Sequence, residues 1–327
     1  MVPLPRSAAR LGDVPDNPRL VRSLFAAVAA RPRLTALLGA VSISLSGVLY
    51  LYSDTSPETA SFFRCLYGLP LLVLAAAIER RSAGPLPRRG VILAAFAGVL
   101  FAADLIFWHH AIEYVGAGLA TVLGNMQVVV VGIAAWLLFR ERPAARTLLA
   151  LPILLLGVVL ITGVLTGQAY GSNPSLGVLF GIGTAFAYGG YLIVIRQVNV
   201  GRAAEPVAIS TASTAAVSLL AGLALGSLDL VPSWPSHFWL LLLGVTAQSA
   251  GYLFISFSLP RLPAVVTSII LLAQPVMAVF LAMILVGEAP SVEQLAGVAF
   301  VIGGIALATI PLHHFQRSRG NATPAHL

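Results

Sequence analysis

Ten apolar runs, each long enough to cross a lipid bilayer as a helix, dominate this chain. They cover about residues 34–52, 59–78, 91–111, 117–138, 146–164, 176–196, 206–227, 237–258, 264–286 and 292–311. A helix needs about 20 residues to cross the hydrocarbon; a barrel strand needs about 10 of alternating polarity, and these runs do not alternate. A helix also satisfies its own backbone polar groups where water is absent. Only 9% of the 327 residues are charged, against about 25% in soluble domains, too few to coat a water-facing surface. The sequence therefore predicts an all-α polytopic membrane protein and excludes a soluble globule or a disordered chain. The single cysteine, Cys65, excludes a disulfide framework and a cysteine-based zinc site.

The net charge of +7 has a side preference. All 19 basic residues are arginine, and 18 of them lie in the two terminal segments and the 2–3, 4–5, 6–7 and 8–9 connections. The alternate connections hold none. Positive charge stays on the cytoplasmic side, so both termini are expected there, with ten crossings between them. Residues 1–33 and 312–327 read as cytoplasmic tails. The first holds six arginines and no apolar core of a secretory signal, and is read as a disordered extension that sets topology.

Residues 107–164 lie on 254–311 with a constant offset of 147 and no gap. Phe107 meets Phe254, Ala117 meets Ala264, Gln127 meets Gln274, Glu141 meets Glu288, Pro143 meets Pro290 and Gly157 meets Gly304. Gln and Glu are scarce here, so their coincidence marks a true repeat. The halves are read as 34–164 and 176–311. Five crossings per half make the second half run opposite to the first, placing Glu141 in a cytoplasmic loop and Glu288 in an external one. Inverted repeats are a construction of secondary transporters.

Three stretches carry a family likeness: SFFRCLYGLPLL in the second run, FWHHAIEYVGAGLATVLGNMQVVVVGIAAWLLFRERP across the third and fourth, and LPAVVTSIILLAQPVMAVFLAMILVGEAP into the ninth and its following loop. On these the chain resembles the EamA-type branch of the drug/metabolite transporter superfamily, over about residues 34–311. The resemblance implies ten transmembrane helices in two inverted five-helix repeats. It implies a secondary transporter, an exporter, of small organic metabolites such as amino acids or amphipathic compounds, in a bacterial inner membrane. The expected partners are a small-molecule substrate, the lipid bilayer and protons as a candidate coupling ion; no cofactor, metal, catalytic residue or nucleic acid is expected, and no oligomer is required. One departure is Val128 where the second half has Pro275, so span four lacks the proline that would bend span nine.

A charge inside the membrane costs about 2.5–3.5 kcal/mol on insertion scales unless it is paired or hydrated. Two stand out, Arg64 in the second run and Asp104 in the third. Their similar depth below the same face allows an ion pair or a substrate-binding pair; alternatively Arg64 snorkels to the headgroups. Trp108, one turn after Asp104, reads as an aromatic wall beside that anchor or as an interfacial belt residue. His109 and His110 read as a solvated helix end. Uncharged candidates for a substrate path are Thr121 with Asn125, Gln248 with Tyr252, Tyr188 and Tyr191 beside a Gly189–Gly190 break, and the repeat mates Gln127 and Gln274. Each can instead bridge helices. Glu141 and Glu288 read as structural terminators of spans four and nine, and the Gly177–Gly181 and Gly222–Gly226 spacings as close-packing sites.

Without lysine no P-loop is possible, and neither HExxH nor GxSxG occurs. An ATP-driven pump within this chain is thus excluded. Two other classes stay open from residues alone: a channel-like facilitator, which needs no alternating gate, and a membrane-embedded lipid-modifying enzyme. The enzyme would need a His/Asp/Glu cluster at one membrane face, where the loops offer mostly arginine.

Overall fold

The computed structural model describes residues 31–139, 145–163, 165–167, 169–198, 202, 204–258 and 264–309. Glu141, Pro143, His313, His314 and nearly all of both tails lie outside the described residues. Among those described, every regular element is a helix. In chain order they are α1 (Pro32–Ser44), α2 (Ser46–Ser53), α3 (Pro57–Ala83), α4 (Arg88–Val115), α5 (Ala117–Gly124), α6 (Gln127–Phe139) and α7 (Ala145–Ile161). The second half has α8 (Pro174–Arg196), α9 (Ala204–Leu225), α10 (Trp234–Leu243), α11 (Tyr252–Ser258), α12 (Ala264–Leu281) and α13 (Val292–Thr309). A π-helical stretch, Gly244–Gly251, joins α10 to α11, and a second, Ala282–Val286, extends α12.

Six continuous stretches are long and apolar enough to cross a membrane unaided: Pro32–Ser53, Pro57–Ala83, Arg88–Val115, Pro174–Arg196, Ala204–Leu225 and Trp234–Ile255. Four shorter apolar helices, 117–131, 148–161, 273–286 and 292–307, complete the ten spans. The protein is an all-α polytopic membrane protein of two five-helix repeats in inverted orientation.

Local chemistry sets the helix ends. Before α3, Ser56 caps the first turn by accepting from the Thr59 N–H at 3.3 Å, and Pro57 supplies a preset φ. Glu58 and Arg80/Arg81 complement the dipole at its two ends, and Gly84 at φ +73° stops it. Asn173 caps α8 in the same way, accepting from Leu176 N at 3.1 Å, with Pro174 following.

Helix contacts follow the repeat. Span two packs on span seven and span five on span ten, each with its own mate; span three against span six is answered by span eight against span one. Spans five and ten meet backbone to backbone: a Cβ on Gly157 would sit 2.8 Å from the Gly297 carbonyl, and one on Gly297 2.6 Å from the Gly157 carbonyl. Spans two and seven are held by two latches that the repeat symmetry interchanges. At one end Ser227 Oγ donates to Glu58 at 2.8 Å; at the other Arg80 approaches Glu205 at 3.7 Å. The offset of 147 extends back through this pair, whose helices start at Pro57 and Ala204, so Glu58 and Glu205 are repeat mates, and so are Arg80 and Ser227. The antiparallel pair therefore crosses near Leu69 and Ala216, midway between the latches, which marks the level of the pseudo-dyad.

Three expectations change here. Gly189–Gly190 is not a break: α8 runs unbroken, and Gly189 instead admits span four, a Cβ there lying 3.0 Å from Val130 Cγ1. Span four breaks at Asn125–Met126 without any proline, whereas α12 continues through Pro275. The carbonyl before Pro275, that of Gln274, accepts from Ser44 Oγ at 3.1 Å across to span one. Gly226 is a turn at φ +68° with open space about it, although Gly177, Gly181 and Gly222 are close-packing sites as their spacing implied.

Candidate functional site

The site forms where three elements converge: α3, which brings Arg64; α4, which brings Asp104 and Trp108; and the π-helical stretch, which brings Gln248. The convergence depends on missing side chains. A Cβ on Gly244 would lie 2.7 Å from the Arg64 carbonyl, and one on Gly68 would lie 2.9 Å from Gln248 Cγ. Ser249 Oγ fastens the contact by donating to the Gly68 carbonyl at 2.8 Å. A π-turn is a common distortion at functional sites, and this one delivers Gln248 to the guanidinium.

Arg64 is 2% exposed and does not snorkel. Its Nε donates to Gln248 Oε1 at 2.9 Å, and Gln248 Nε2 donates onward to Thr211 Oγ1 at 3.2 Å. Thr211 is the repeat mate of Arg64, so one glutamine ties corresponding positions of the two halves together. The guanidinium carbon lies 5.8 Å from the Trp108 ring centroid, within cation–π range. Trp108 is thus buried against a charge and is no interfacial belt residue. Arg64 Nη1 is buried with no hydrogen-bond partner.

Asp104 is 6% exposed. The direct ion pair with Arg64 that their similar depth allowed is not formed, none of the salt bridges among the described residues joining them. Geometry gives the reason: the Arg64 Nε is turned to Gln248. Among the described residues Asp104 enters the hydrogen-bond network only through its backbone carbonyl, which accepts from Thr184 Oγ1 at 3.4 Å. Its carboxylate is left for something else. On the same helix Phe101 anchors an aromatic group, its ring 4.8 Å from Tyr191, 6.1 Å from Tyr188 and 5.7 Å from Tyr252.

The structure therefore gathers Arg64, Asp104, Trp108, Tyr188, Tyr191, Gln248 and Tyr252 around one centre. The break in span four borders it: a Cβ on Gly124 would lie 3.0 Å from Thr184 and 3.9 Å from Trp108. Thr121 and Asn125 are occupied locally, Thr121 Oγ1 donating to the Ala117 carbonyl and Asn125 Nδ2 to the Thr121 carbonyl, each at 2.8 Å. Gln127 starts α6 just past the break, and Gln274 is half-buried beside span one. These last four are not joined to Arg64 or Asp104 by any hydrogen bond among the described residues.

His109 overturns the expectation of a solvated helix end. Helix α4 continues to Val115, so His109 lies more than a turn inside it and is 0% exposed. Its ring stacks on Tyr50 at 4.2 Å, and its Nδ1 meets Ser61 Oγ at 2.9 Å. His110, the next residue along, faces two carboxylates, Glu58 at 3.3 Å and Glu113 at 3.2 Å, and Tyr50 OH donates to Glu113 at 3.1 Å. Glu58, Glu113 and Glu205 were missed as helical acids, because each falls at or beyond the end of an apolar run. An acid placed on a repeat-related contact between spans was the available signal.

Glu288 does not cap its own span. Its carboxylate crosses to the start of α5, accepting from the Ala117 N–H at 2.5 Å and the Gly118 N–H at 3.2 Å. Burial pushes this loop carboxyl above its ordinary pKa, and the two N–H donors work against that shift. No group of three or more His, Cys, Asp or Glu side chains suited to a metal occurs among the described residues.

Comparison with known proteins agrees with this architecture. One solved protein, titled only "Crystal structure of protein", is similar to 84% of this chain over 98% of its own, at a TM-score of 0.59 and 22% identity. No curated protein matches. The EamA-like transporter family matches residues 32–163 and 175–310, one match per repeat. Ten spans, two mutually packed repeats and this double match together establish that the chain belongs to the EamA-like transporter family, and that it is a membrane transporter of small molecules.

Proposed function

We propose that the protein is a secondary transporter that exports small organic metabolites, amino acids or amphipathic compounds among them, across a bacterial inner membrane, with both termini in the cytoplasm. The observation that carries this reading is the asymmetric charge at the centre of a symmetric frame. The repeat mates of Arg64 and Asp104 are Thr211 and Gly251, so building two repeats does not require either charge. A buried carboxylate and a buried guanidinium that do not neutralise each other serve a solute or a coupling proton better than they serve stability. The inverted halves rock about this centre and open it alternately to the two faces. The carboxylate latches at both ends of the span two–span seven pair make that pair the natural axis of the motion.

Transport by purified protein in sealed liposomes tests the reading. Vesicles loaded with a bacterial metabolite extract, without nucleotide, are assayed for solutes released unchanged under an imposed pH gradient. Release of specific metabolites beyond that from protein-free vesicles is expected. Release no faster than from protein-free vesicles, or recovery of chemically altered solutes, would remove it.

A further inference from the structure

We infer that Arg64 is the anchor for a carboxylate on the transported solute, so that the substrates are organic acids or zwitterions carrying a single carboxylate. The inference deepens the transporter reading above and rests on it. Three observations about donors and acceptors converge.

Arg64 is a cation, 2% exposed, with one direction satisfied by Gln248 and its Nη1 buried without a partner. A buried guanidinium with an unmade bond is a costly arrangement that an incoming anion relieves. Asp104, the acid of the same centre, forms no salt bridge with it.

His109 is a second group with an unmade bond: its Nδ1 lies 2.9 Å from Ser61 Oγ, which also reaches the Pro57 carbonyl at 2.7 Å, and its Nε2 is buried without a partner. Asp104 adds a carboxylate that forms no salt bridge. The centre therefore holds one cation and one carboxylate, not paired with each other.

That count sets the ligand class. A phosphate ester at neutral pH brings close to two negative charges and is ordinarily held by several cations or helix termini; this centre has one arginine. A carboxylate brings one charge and suits one guanidinium edge. The remainder of the solute lies against Trp108 and the tyrosine group, which favours an apolar or aromatic body.

Binding separates this from transport. Detergent-purified protein is titrated with matched pairs differing only at the acid: acetate and acetamide, lactate and lactamide, 3-phenylpropanoate and 3-phenylpropanamide, with 3-phenylpropylamine as the cation. The shift in melting temperature reports binding. The acids are expected to bind about tenfold or more tightly than their amides, the worth of one charge-assisted hydrogen bond. Arg64→Gln should abolish the difference, and Arg64→Lys should keep part of it. Equal binding of acid and amide, tighter binding of the amine, or no shift by any acid in the wild-type protein overturns the proposal, whether or not the variants fold. Acids that bind but are never moved across liposomes would overturn the transporter reading and leave this one standing. Solutes that are moved with no acid preference would do the reverse.

Discussion

Asp104 differs from every other buried acid described. Glu58 accepts from Ser227 and meets His110; Glu205 accepts from Leu86 N–H and pairs with Arg202 at 3.1 Å; Glu288 caps α5. Those acids hold the fold, while the Asp104 carboxylate holds nothing among the described residues. Substitutions should separate the two kinds. Asp104→Asn keeps the shape and is expected to stay within about 1 kcal/mol of the wild-type stability, since no bond is broken. Glu205→Ala leaves the Arg202 guanidinium without its carboxylate and should cost about 3–5 kcal/mol. Arg80→Ala, at the 59% exposed side of the same latch, should cost about 0–1 kcal/mol. Detergent melting curves of the three variants check this order; a loss for Asp104→Asn as large as that for Glu205→Ala would make Asp104 a structural residue. The sequence marked Asp104 because it stands far from either end of an apolar run. It could not mark Glu205, whose burial arises from a contact between spans two and seven that only the assembled pair creates.

At the scale of elements, helix positions were legible because hydropathy and the absence of polar breaks set them, whereas the distortions were not. The π-stretch Gly244–Gly251 is decided by what packs on it, Gly68 and the Arg64 backbone, and no local preference in GVTAQSAG demands it. The break in span four falls with no proline near it, between α5, which packs on both α8 and α12, and α6, which keeps α8 as its neighbour. The start of α5 is another junction between halves. Gly116 adopts φ +89°, and a Cβ there would sit 2.8 Å from the Glu288 carboxylate carbon. Gly116→Ala is therefore expected to strain the backbone and displace the cap together, with a combined cost of about 2–4 kcal/mol. Glu288→Ala removes only the cap, at a cost of about 1–2 kcal/mol. Melting temperatures of the two variants measure the difference. Equal losses would mean that the left-handed turn contributes no constraint of its own.

For the whole molecule, the inverted arrangement follows from five crossings per repeat and is reinforced by contacts that only an antiparallel two-fold explains, such as Glu58 with Ser227 answered by Glu205 with Arg80. The arginine bias carries the proposed sidedness, with both termini cytoplasmic. In a Cys65→Ala background, Asp54→Cys in the first external turn should react with an impermeant maleimide added outside intact cells, and Arg81→Cys should react only after permeabilisation. The reverse pattern would turn the protein over in the membrane. How the repeats are used cannot be read from symmetry; the proposed mechanism puts function where symmetry fails, at Arg64 and Asp104. The most direct measurement is exchange of a labelled solute, identified from the loaded-vesicle experiment, by wild type and Asp104→Asn reconstituted at equal density. Nucleotide-free exchange that the wild type supports, and that Asp104→Asn loses by tenfold or more (on the order of 1.4 kcal/mol or greater in the barrier) while still folded, is the predicted result. Exchange by Asp104→Asn at the wild-type rate would contradict a mechanism centred on this buried charge.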